Sequence, residues 1–123
     1  MKNIFKSIIV LILISLSDFA LAGDVPQKFE RAAAEKGISD LNFVKAKVAS
    51  IERGEKNIFI YFSEPVQIGS NPPLLFFEYS SSKYLKGSLF DIPVDAKEIN
   101  IYYGYNNLFS TKMSTVIGLE KIL

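Results

Sequence analysis

Past residue 23 the chain changes hydrophobic period twice, and the changes set out its elements. "QKFERAAAEKG" is rich in strong helix formers and stops at Gly37. Its apolar stripe is thin, carried by Phe29, Ala32 and Ala33. That suits a surface helix laid on a sheet and anchored by one ring. Asp24 is placed to cap this helix, with Gln27 at the third helical position as in a capping box and Pro26 in the first turn.

A period of two then takes over. In "FVKAKVASIE", Val44, Ala46 and Val48 alternate with Lys45 and Lys47, the mark of a half-buried strand. The alternation slips between Ala49 and Ile51, which predicts a bulge. "RGEKN" turns the chain into "NIFIYF", so the two strands read as a hairpin. Ile58, Ile60 and Phe62 share one face of the second strand, and Phe59 and Tyr61 the other. With both faces apolar, it is expected to be central. "SEPVQIGSNPP" is irregular, a long loop or a short edge piece with a turn.

"LLFFEYS" predicts a third strand, with Leu75, Phe77 and Tyr79 opposing Leu74, Phe76 and Glu78. "SSKYLKGSLFDIPVDA" reads as helix or extended chain. Ser81 or Ser82 would cap the helix, Gly87 weakens it by about 1 kcal/mol against Ala, and Pro93 ends it. "KEINIYYGY" is a fourth strand, with Ile99, Ile101 and Tyr103 on one face, Asn100 and Tyr102 on the other, and a bulge or turn entry at Gly104. "STVIGLEKIL" closes the set, with Val116 on one side and Ile117 and Leu119 on the other. The class is α+β: a small antiparallel β-sheet or OB-like five-stranded barrel, with an N-terminal helix and a short middle helix if residues 82–92 coil.

The order helix, hairpin, long loop, strand, short helix, hairpin resembles the small OB-type barrels of receptor-binding subunits of bacterial toxins. The resemblance covers most of the chain after residue 22 and rests on order and size. It implies a ring-forming module that binds a glycan or a receptor. The paired cysteines common in such subunits are absent.

The first 22 residues read as a cleavable secretory signal. Lys2 and Lys6 form a positive start, Ile8 to Leu16 an apolar run, and Ala20-Leu21-Ala22 a small-x-small cleavage pattern. The run is shorter than the roughly 20 residues of a spanning helix. The expectation is a signal peptide over 1–22, one domain over 23–123, and a periplasmic or secreted protein without stable membrane insertion after cleavage. Lys2, Lys6 and Asp18 leave with the signal, so the remainder carries twelve basic and twelve acidic residues and no net charge. Without a run of like charge it has no electrostatic footprint for nucleic acid or anionic membrane.

Missing residue types narrow the chemistry. With no histidine, the usual base near neutral pH and the commonest zinc ligand are gone. With no cysteine there is no thiol nucleophile, iron–sulfur site or disulfide. Neither phosphate-cradling glycine motif occurs. No cofactor and no metal are expected. Carboxylate pairs remain as candidates for hydrolysis, Glu64 with Glu78 across the long loop and Asp91 with Asp95 around Pro93. The plainer reading, preferred here, makes each a solvated loop or turn residue.

"INIYYGYNNLF", residues 99–109, supports two readings. In one, Tyr103 is core, Tyr102 packs on the outer face, and Asn106-Asn107 make a turn. In the other, Tyr102, Tyr105, Asn106 and Asn107, joined by Tyr79 and Tyr84, form a partner-binding patch. Tyr gives contact area at low entropic cost and Asn adaptable hydrogen bonds. The function expected is a non-enzymatic exported binding protein, an inhibitor or immunity-type protein acting on another protein. The alternative is a glycan- or receptor-binding module that oligomerises.

Overall fold

The computed structural model describes residues 25–80, 88–106 and 113–123. The expected signal segment 1–22, Asp24, the stretch 81–87 and the stretch 107–112, with Tyr84 and Asn107, lie outside the described residues. One helix, α1 (Gln27–Glu35), precedes five strands: β1 (Ile38–Arg53), β2 (Asn57–Val66), β3 (Leu74–Ser80), β4 (Glu98–Asn106) and β5 (Ser114–Lys121). They form one antiparallel sheet in the order β3-β2-β1-β4-β5, curled into a half-barrel. The fold is therefore small α+β and OB-like.

The helix starts later than a capping box allows. Gln27 is its first residue rather than its third, and Pro26 stands at the N-cap with an extended ψ of 143° and no side-chain cap. The Pro26 carbonyl accepts from the Phe29 and Glu30 amides. At the other end Gly37 takes φ +69°, the left-handed conformation that stops a helix cheaply. Phe29, Ala32 and Ala33 are buried, the stripe the sequence predicts.

β1 is long because it serves two partners. Its first half pairs with β4, from Ile38 opposite Asn106 to Lys47 opposite Glu98. Its second half pairs with β2, from Val48 opposite Phe62 to Arg53 opposite Ile58. The bulge between Val48 and Ser50 falls at the predicted slip and bends the strand where it changes partner. β2 runs on through Ser63-Glu64-Pro65 to Val66, part of the stretch that reads as irregular. Proline is tolerated because β1 has left this edge and needs no amide from residue 65.

The core has two parts. Ile58, Ile60, Phe62, Ile68, Ile99, Ile101 and Leu119 fill the inside of the half-barrel, joined by Phe90 and Ile92. Residues 88–92 are turn and irregular chain, so the expected middle helix does not extend over them. The second part lies on the outer face, where Phe29 and Ala33 of α1 cover Ile38, Tyr102 and Ile117. β4 is thus buried on both faces.

Two expectations about glycines and faces change. Gly104 lies inside β4, and the irregularity is across from it on β1, between Ser39 and Asn42, where Asp40 has φ 54°. A Cβ on Gly104 would lie 2.5 Å from Ile38 Cγ2 and 2.7 Å from the Ser39 carbonyl. In β5 the register shifts so that Gly118 faces Tyr102 and Val116 faces Tyr103. Ile117 therefore joins the helix side, while Leu119 joins the barrel interior. The sequence placed those two together because alternation alone does not locate a bulge.

Candidate functional site

The outer face of β1, β2 and β3 carries a small lattice of side chains, and among the described residues no helix lies over it. Cross-strand partners share a face, so the register gives its rows directly. Glu52, Phe59 and Glu78 form one row across the three strands. Ser50, Tyr61 and Phe76 form the next. Asn57, opposite Ser80, begins a third.

The rings meet in a triangle. Phe59 and Tyr61 are stacked with centroids 6.4 Å apart. Phe76 lies 5.9 Å from Tyr61 and 6.4 Å from Phe59. Phe76 is 46% exposed. Exposed apolar side chains gathered in one place, rimmed by polar ones, mark interaction surfaces.

Two carboxylates flank the rings. Glu52 accepts a hydrogen bond of 3.2 Å from the Tyr61 hydroxyl. Glu78 accepts from the Asn57 amide. Both donors are neutral, so neither contact cancels a charge. Partial burial raises the Tyr61 phenol above its ordinary value, followed by the charge and hydrogen bond of Glu52 and then the charge of Glu78. The patch is aromatic at its centre and negative on two sides.

The residues expected to form a patch do not assemble into one. Tyr102 is 1% exposed. Its ring stacks on Phe29 at 4.1 Å, and its hydroxyl donates to Glu120 at 2.7 Å and accepts from Asn100 at 3.3 Å. Tyr79 is 5% exposed and lies 5.3 Å from the Phe90 ring. Burial withdraws both from any partner. Tyr105 and Asn106 are half-buried at the end of β4, paired with Ser39 and Ile38. Tyr84 and Asn107 lie outside the described residues.

Nor do Glu64 and Glu78 converge. Glu78 is level with Phe59 on β2. Glu64 lies five residues further along that strand, on the order of 16 Å at the rise of a strand. That exceeds the separation of either glycosidase geometry. Glu64 instead borders a groove of about 210 Å³ where β2 parts from β1, together with Lys45, Lys47 and Glu98. Asp91 and Asp95 flank the turn closed by the Ala96 amide on the Pro93 carbonyl. Among the described residues no three acidic side chains gather to hold a metal, and no helix is long and apolar enough to cross a membrane.

The aromatic triangle escaped the sequence reading, although its signal was there. Phe59 and Tyr61 on one strand and Phe76 and Glu78 on another were each assigned the same face of their strand. What was missing is that this face stays open. In comparisons with protein-family models, with characterised proteins and with solved structures, the chain finds no significant match, so the site rests on its own geometry.

Proposed function

We propose that this chain is a small exported binding protein of inhibitor or immunity type. It engages another protein through the outer face of β1, β2 and β3. The observation that carries the reading is the Phe59–Tyr61–Phe76 triangle on a three-stranded platform, with Phe76 exposed and the other two rings half-buried. Rigid rings at the centre of a patch with a polar rim are the usual anchors of protein recognition. Export is argued from the segment 1–22 alone. The test is co-purification from the periplasm or culture medium of the native host. The wild-type chain should retain a stoichiometric partner, and Phe76→Ala with Tyr61→Ala should lose it while circular dichroism stays unchanged. Capture that survives both substitutions refutes the assigned face.

A glycan is the second reading, favoured by the same rings beside Glu52, Asn57 and Glu78. A sugar ring stacks on aromatics and its hydroxyls bond carboxylates and amides. A glycan array probed with the wild-type chain and with Tyr61→Ala separates the two.

A further inference from the structure

We infer that the Glu52–Phe59–Glu78 row, backed by Tyr61 and Phe76, seats a cationic side chain of the protein partner, an arginine before a lysine. The inference rests on the reading of this face as a protein-docking surface and adds the chemistry of the anchor.

Charge complementarity carries it. Phe59 has a glutamate directly across on each neighbouring strand. The two backbones are about 9.6 Å apart, twice the spacing of adjacent strands. A planar group lying over the Phe59 ring is then within side-chain reach of both carboxylates. Among the described residues each carboxylate accepts from a neutral donor, the Tyr61 hydroxyl or the Asn57 amide. Arg53, the next residue of β1, pairs with Ile58 and so alternates to the opposite face. Ring faces are themselves negative and attract a cation placed above them. The same centre therefore draws a positive group by three rings and two charges.

The alternatives fit less well. A phosphate or sulfate would meet two negative charges. A neutral sugar would use the rings and hydroxyl acceptors but gain nothing from the charge. A guanidinium uses all of it: a flat face for Phe59, and N–H donors arranged to fork onto a carboxylate. An ammonium would take one carboxylate as a point charge and stack less well.

The test is a titration of the isotope-labelled protein followed by NMR at low salt. The probes are acetyl-Gly-Arg-Gly-amide, its citrulline counterpart, which keeps the shape and loses the charge, and lactose. The expected result is shifts confined to residues 50–61 and 74–80, with the arginine peptide at least tenfold tighter than the citrulline one. Glu52→Gln combined with Glu78→Gln should erase that preference. Both side chains are exposed, so the fold should remain. Equal binding of the arginine and citrulline peptides at this face would overturn the inference and leave the docking face standing. Lactose moving these residues while the arginine peptide does not would overturn both in favour of a glycan. No shift from any probe would overturn the cation seat, and the alanine variants above would still decide the face.

Discussion

Gly118 is where the helix meets the sheet most closely, and substituting it tests how α1 is held. A Cβ built there lies 2.3 Å from Phe29 Cε1 and 2.6 Å from the Leu89 carbonyl oxygen. Real Cβ atoms do not approach that near, so Gly118→Ala forces the ring or the backbone to move. Overpacking of this kind costs about 1–3 kcal/mol, and two close contacts place it near the middle, about 2 kcal/mol. Phe29→Leu keeps most of the apolar volume but loses the ring stack on Tyr102, worth about 1 kcal/mol. If the cost of the alanine is mostly a collision with the ring, the flexible leucine relieves part of it. The double variant should then cost about 2 kcal/mol rather than the additive 3 or so, a coupling near 1 kcal/mol. Urea melts followed by circular dichroism and by tyrosine fluorescence read all four corners of the cycle. In thermal melts the single glycine variant should drop by roughly 8–16 °C for a domain of this size. Strict additivity would refute the contact, since residues that touch must couple. Additivity would place the strain at the Leu89 carbonyl instead.

The other predictions bear on single groups. Tyr102→Phe removes the donor that Glu120 accepts from in a part-buried site and should cost about 1.5–3 kcal/mol in urea melts. Phe76→Ala should change stability by under about 1 kcal/mol, because the ring is half out of water, while abolishing partner capture. In an absorbance titration of the phenols, Tyr61 should ionise above pH 10, and Glu52→Gln should bring it down, as that carboxylate both repels the phenolate and holds the proton. Because the fold favours the neutral phenol, the stability it contributes is present below pH 10 and is lost as pH rises through the higher folded value.

Much of the fold was legible because it follows from local periodicity. The helix and its single ring, the five strands, and the slip at Ala49 each appear as a change in the spacing of apolar residues. What alternation does not reveal is which strand absorbs an irregularity. Gly104 reads as a bulge or turn entry, yet the extra residues sit opposite on β1, since a residue without a Cβ lets Ile38 and Ser39 of that strand come close. Ile117 reads with Leu119, but a register shift at Gly118 turns it to the helix.

The site was half legible for a reason of coverage. Phe59 and Tyr61 opposite Ile58 and Ile60 give a strand with two apolar faces, and Ile99, Ile101 and Tyr103 opposite Tyr102 give another. From sequence the two tyrosines look alike. The chain has one described helix, and it packs chiefly against β1 and β5. It spends its one ring on Tyr102 and buries that face. The second aromatic face, on β2 and β3, is left to solvent with Phe76 at its edge. A helix of nine residues is too short to be stable alone, so it must lie where a pocket holds it. Gly118 supplies that pocket on β5, and β2 and β3 contain no glycine. The glycine that admits Phe29 thus lies beside the aromatic face that becomes core.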